Sequence, residues 1–101
     1  MARKIYKLVL MRGYTEAYYQ LSPEQKQKLD EDLEKTVLVD AGAKLVTPYY
    51  DCRWSTDQYS MVFVMEYPDI EAAIADSAGV AKFDWYRYVT AETILGIEET
   101  A

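Results

Sequence analysis

The chain has no histidine and a single cysteine, Cys52, in 101 residues. Intramolecular disulfides are therefore excluded. So are zinc sites built from His and Cys, and haem held by a proximal His. A carboxylate-only Mg²⁺ or Ca²⁺ site stays open, but no EF-hand spacing occurs among the acidic residues, and neither a metal nor a cofactor is expected. Only three prolines and four glycines are present. They gather into no linker and no low-complexity tract, and residues 1–101 are expected to form one domain. Cationic side chains are the minority: 11 Lys and Arg face 17 Asp and Glu, for a net charge of −6. That balance repels phosphate backbones and anionic lipid, so neither a nucleic-acid partner nor a membrane surface is expected. Long apolar runs are missing too. The opening "MARKIYKLVLMRG" has an apolar core of about six residues interrupted by Lys7, too short and too charged for a spanning helix or a typical signal peptide. A cytoplasmic location is expected.

What is present is a regular succession of elements. "KIYKLVLMR" (Lys4 to Arg12) predicts a first strand. Ser22 suits a helix N-cap, Pro23 the first helical position and Gln25 the return arm of a capping box. Leu29, Leu33 and Val37 recur at four-residue steps, so a helix is predicted from Pro23 to Ala41, with Gly42 as its C-terminal cap. "KLVTPYYDCRW" (Lys44 to Trp54) predicts a second strand with an edge or bulge at Pro48. "YSMVFVMEY" (Tyr59 to Tyr67) predicts the third. Asp69 can cap a second helix, expected to break or bend near Gly79. "AKFDWYRY" (Ala81 to Tyr88) predicts a further helical piece and "TAETILGIE" (Thr90 to Glu98) the last strand. The order is β-α-β-β-α-β. It predicts an α+β, ferredoxin-like fold: a four-stranded antiparallel sheet, spatial order four, one, three, two, with both helices on one face.

Strand residues alternate between faces. In the third strand Tyr59, Met61, Phe63, Met65 and Tyr67 share one face, and Val62 and Val64 the other. In the first strand Ile5, Val9 and Met11 oppose Tyr6, Leu8 and Leu10. Both faces are apolar, yet two helices cover only one. Leaving several large side chains in water would cost roughly 1.5–3 kcal/mol each. A homodimer through the open sheet face is the simplest remedy. The methionine-rich face of the third strand is assigned to that interface. The element order, "MVFVMEYPDIEAAIAD" and the closing "TAETILGI" resemble the dimeric α/β-barrel superfamily, which includes cofactor-free antibiotic-biosynthesis monooxygenases, EthD-like proteins, YCII-like proteins and muconolactone isomerases. The resemblance implies a dimer, a pocket between sheet and helices, and chemistry without metal or haem. Members that act through a histidine are departed from, since this chain has none.

The aromatic stretch "RGYTEAYYQLSPEQ" (Arg12 to Gln25) finds a place in this topology. The ends of the first two strands meet the starts of the other two. Arg12, Tyr14, Tyr18, Tyr19, Arg53, Trp54, Tyr59, Trp85, Tyr86, Arg87 and Tyr88 are expected at that end. An aromatic-walled mouth with cationic heads suits an aromatic or enolic anion. Arg12 and Arg53 are the candidates for holding the anion, and Tyr18 and Tyr86 for donating to a developing oxyanion. Trp54 and Trp85 are candidate stacking walls, with Tyr14, Tyr19 and Arg87 as further ligand contacts. A plainer set of roles fits the same residues. The tyrosines can cap the sheet end, the tryptophans can anchor core or interface, and the arginines can pair with Asp51, Asp57 or Asp84. Glu66 is either a solvated carboxylate or, if buried, a general base, and Cys52 a small half-buried residue. Two functions follow: a metal- and haem-free oxygenase, isomerase or cyclase, or a non-catalytic dimeric ligand-binding or scaffold module.

Overall fold

A computed structural model of the chain describes residues 3–99. The elements run β1 (Ile5–Tyr14), α1 (Glu16–Tyr19), α2 (Pro23–Glu34), a π-helical turn (Lys35–Asp40), β2 (Lys44–Leu45), β3 (Tyr50–Asp51), β4 (Met61–Tyr67), α3 (Ile70–Lys82), α4 (Trp85–Tyr88) and β5 (Val89–Gly96). The fold is α+β. Its antiparallel sheet has the order β2-β4-β1-β5, and β3 also pairs with β4. The predicted second strand is thus two short pieces separated around Pro48, which has no amide to give a ladder. In the gap the Val64 amide donates to the Thr47 hydroxyl instead, at 3.0 Å. Arg53 and Trp54 fall outside strand structure, in the turn that follows β3.

The helix starts form as their sequences dictate. Ser22 Oγ accepts from the Gln25 amide, and the Gln25 side chain accepts from the Ser22 amide, with Pro23 in the first turn. Asp69 accepts from the Ala72 amide at 2.8 Å and starts α3. Gly42, at φ +68°, closes the long helix in the left-handed region that favours glycine. α3 does not bend near Gly79, as its sequence had suggested; it runs unbroken to Lys82. Gly79 serves close packing instead. A Cβ there would overlap Cγ2 of Thr36 on the π-helical turn. Gly79→Ala is therefore expected to destabilise by about 1–2 kcal/mol, overpacking outweighing the gain in helix propensity. Urea denaturation of the double variant Gly79→Ala/Thr36→Ser, which removes the offending methyl, should recover the loss.

The core sits between the helices and one sheet face. Met65 and Tyr67 of β4 pack with Ala41, Ala43 and Ala73, flanked by Ile5, Val37, Phe63 and Ala72. This reverses the face assigned from the sequence: the methionine-rich side of β4 lies under the helices, not outside. Small alanines on the helix layer leave room there for the large β4 side chains. The opposite face carries Tyr6, Leu8, Leu10, Val62, Val64 and Ile94. Pairings such as Leu8 with both Val64 and Ile94 set these residues in one layer. None of the six is buried, and Ile94 is 56% exposed. Among the described residues no helix is long and apolar enough to cross a membrane.

Candidate functional site

A cavity of about 420 Å³ opens between the sheet and the helices. Val9 and Met11 of β1 and Phe63 and Met65 of β4 form its floor. Leu33 and Val37, two members of the four-residue stripe, form its roof. The π-helical turn adds Leu38, so the widened turn shapes the wall itself. Trp85 and Tyr86 enter from α4, which follows Asp84 in a left-handed conformation at φ 58°. Asp is among the few residues that tolerate that turn, and it aims the α4 aromatics back across the sheet end.

The lining has a buried polar end. Asp76 is 3% exposed and Tyr67 1%, whereas Tyr86 and Tyr49, also on the lining, are exposed. The Tyr67 hydroxyl donates to Asp76 Oδ2. Lys7 Nζ donates to the same oxygen at 2.9 Å, and its side chain retains 12% exposure. The ammonium also stands 5.3 Å from the centre of the Tyr67 ring. The other carboxylate oxygen, Asp76 Oδ1, is buried and has no hydrogen-bond partner among the described residues. Such an atom is costly to leave unpaired, by about 1–3 kcal/mol, and more if charged. Asp76 is a lining residue, so a ligand donor that reaches this covered oxygen through a small side-chain movement would satisfy it.

Burial, then the hydrogen bond to Asp76, pushes the Tyr67 hydroxyl well above the ordinary tyrosine range. The folded state therefore keeps a proton that the unfolded chain loses near pH 10. This contribution to stability is whole below about pH 10 and is lost as pH rises beyond it. Urea midpoints followed from pH 8 to 11 are expected to fall across the upper part of that range.

The residues singled out from the sequence divide into three places. Trp85 and Tyr86 line the cavity. Tyr14, Tyr18 and Tyr19 form a cluster beside it: Tyr14 and Tyr18 stack at 4.0 Å, and Tyr19 meets each edge-on. Lys26 Nζ lies 5.2 Å from the Tyr18 ring. α1 and α4 are neighbours, tied by the Thr15 amide donating to the Tyr88 carbonyl and by the Thr15 hydroxyl donating to the Arg87 carbonyl. Burial raises the Tyr14 and Tyr18 hydroxyls, with further contributions from Asp30 on the cavity lining. Arg87 points over the Tyr88 ring at 5.9 Å and is exposed.

Arg12, Arg53 and Trp54 are not on the cavity lining. Arg12 pairs with Glu92, whose other oxygen accepts from the Tyr59 hydroxyl at 2.9 Å. Glu92 pairs in register with Leu10, so this cluster belongs to the bare face. Arg53 forks onto Asp51 at 2.9 and 2.7 Å and holds that carboxyl down to about 2. Trp54 is 86% exposed. Glu66 is half-buried between Tyr6 and Lys4, away from the cavity.

Lys7, Tyr67 and Asp76 were not among the candidates read from the sequence. Two signals mark them. Lys7 interrupts the apolar face of β1 between Ile5 and Val9. Asp76 lies at helical spacing from Ala73 and Val80, on the stripe that α3 buries. Among the described residues, no group of three or more His, Cys, Asp or Glu gathers as a metal site.

Comparison with known proteins adds fold information alone. No family model and no curated protein matches the chain. A crystal structure of RPA0582, a protein of unknown function from Rhodopseudomonas palustris, is similar at a TM-score of 0.58 and 15% identity, covering 100% of this chain and 86% of that one. A crystal structure of the methylated RPA0582 protein matches at the same TM-score and identity, covering 99% and 84%.

Proposed function

We propose that the protein binds an aromatic or enolic small molecule in the cavity beneath its helices, as a homodimer joined through the bare sheet face. The observation that carries this reading is an aromatic-walled cavity whose lining includes Asp76, a carboxylate with one buried oxygen unpartnered among the described residues. A volume of about 420 Å³ lies within the range of small-molecule sites, roughly 300–1,000 Å³. Walls of Phe63, Trp85 and Tyr86 favour a flat ring. Counting β2 and β3 as one interrupted edge strand gives a β-α-β-β-α-β order with the long helices on one side, in keeping with a ferredoxin-like, dimeric α/β-barrel arrangement. The uncovered layer of Leu8, Leu10, Val62, Val64 and Ile94 supports the dimer.

The chemistry in reach is proton handling at a ring substituent. Asp76 offers an acceptor, and Lys7 and Tyr67 fix its orientation. That set suits an isomerase, a cyclase or an oxygenase that draws electrons from its own substrate, without metal or haem. A non-catalytic binding module is the second reading, favoured by the fact that the single hydrogen of the Tyr67 hydroxyl is already spent on Asp76. A thermal-shift screen of hydroxylated aromatics tests binding: a ligand at about one hundred times its dissociation constant should add about 2.7 kcal/mol. A screen without a single saturable shift contradicts the proposal. Incubating each hit with protein in air separates the readings, since conversion marks an enzyme and unchanged ligand a module.

A further inference from the structure

We infer that the ligand of this cavity is a hydroxyl-bearing ring, bound with its O–H donating to Asp76, and not an aromatic carboxylate. The inference rests on the cavity being the ligand site. It follows from the charges and hydrogen-bond capacities along the lining. Lys7 is the one cation there among the described residues, against three carboxylates, Asp30, Glu34 and Asp76. Its charge is already matched by Asp76 at 2.9 Å. Arg12 and Arg53, the cations that would welcome an anion, are held by Glu92 and Asp51 away from the cavity. A ligand carboxylate would therefore enter a lining with surplus negative charge and bring no hydrogen to Asp76 Oδ1.

A hydroxyl meets both needs at the buried end. It has one hydrogen to give and lone pairs to receive. Asp76 Oδ1 needs a donor. Lys7 Nζ carries three hydrogens, of which the contact with Asp76 occupies one. One ligand oxygen can thus donate to Asp76 and accept from Lys7. An ether in the same place can only accept, and leaves Oδ1 orphaned. A carboxylate also can only accept, and adds repulsion.

Three probes that share one ring system separate these cases on the wild-type protein at neutral pH: 2-naphthol, 2-methoxynaphthalene and 2-naphthoate. Titration is expected to show 2-naphthol binding about ten- to a hundred-fold more tightly than either of the others, the range of a hydrogen bond to a charged group. Equal affinity for the ether or the carboxylate would overturn the donor assignment while leaving the cavity as a binding site. Binding of none of the three would overturn both. Asp76→Asn supplies an independent reversal. Its amide oxygen can accept from Lys7 and Tyr67 in place of Oδ2, and its NH₂ then stands where Oδ1 was. The variant should lose the preference for 2-naphthol and gain affinity for 2-naphthoate; a folded variant with unchanged preference speaks against the inference. Should that variant fail to fold, the wild-type series decides alone.

Discussion

Asp76→Ala is expected to destabilise the protein by about 3–5 kcal/mol, the loss typical of a buried ion pair stripped of one partner. The reason is what the substitution leaves behind. Lys7 would keep its ammonium with 12% of its side chain exposed and would lose its ion-pair partner. Tyr67, 1% exposed, would lose the acceptor of its hydroxyl. The helix and the β4 strand would also lose the polar tie between them. In a domain of this size the melting temperature should drop by upwards of about 12 °C. The triple variant Lys7→Met/Tyr67→Phe/Asp76→Leu removes all three polar groups together, and should recover most of that stability because no charge remains unpaired. A loss under about 1 kcal/mol for Asp76→Ala would mean that water reaches Lys7 freely, and that the polar end of the cavity is not sealed as described.

Leu8→Glu is the second change with a large expected effect, and in the proposed dimer it acts between chains. Leu8 sits in the middle of the bare layer, opposite Val64 on one side and Ile94 on the other. Two-fold symmetry places two new carboxylates in one interface. A carboxyl that enters the interface neutral and unpaired still costs about 2 kcal/mol, so two of them should raise the dimer dissociation constant by about a thousand-fold or more. Sedimentation at micromolar concentration should then report a species near 11.7 kDa, against twice that mass for the proposed dimer. Ile74→Glu is the control. Ile74 lies on the outer side of α3 and is 61% exposed, so its replacement should leave the dimer intact. A parent protein that already sediments as a cooperatively folded monomer would remove the dimer from the account.

Much of the fold could be read from residue order. Ser22, Pro23 and Gln25 start α2, Asp69 starts α3, and the apolar run Met61–Tyr67 marks an inner strand, because each is a local signal with a local cause. Pro48 was legible as an irregularity, an edge or a bulge, but the full break of the second strand into Lys44–Leu45 and Tyr50–Asp51 was not. The sheet face was not. Met65 and Val64 are both apolar, and the choice between them depends on the alanines of α3 and of the turn after α2, a tertiary match. Gly79 misled because a helix breaker and a close-packing residue look alike in sequence; only Thr36 on the neighbouring turn tells them apart.

The candidate site was legible in part. Counting aromatics brought Trp85 and Tyr86 to the right end of the sheet, and the Tyr14, Tyr18 and Tyr19 cluster beside them. The count gave Arg12 and Arg53 a role that nearby acids take up: Asp51 is two residues from Arg53, and Glu92 meets Arg12 only across β1 and β5. Lys7, Tyr67 and Asp76 come from three elements, and no spacing rule joins them. Their shared clue is weaker: a charge where the pattern calls for an apolar side chain.

The cavity with Asp76 in its wall is the claim on which the function depends. Methionine methyl NMR tests it most directly, because Met11 and Met65 line the cavity and Met61 does not. With 2-naphthol as titrant, the Met11 and Met65 resonances should move along one saturation curve, while Met61, opposite Met11 but off the lining, moves less. Met11 and Met65 unmoved at a concentration that saturates binding, or a shift confined to Met61, would contradict the account.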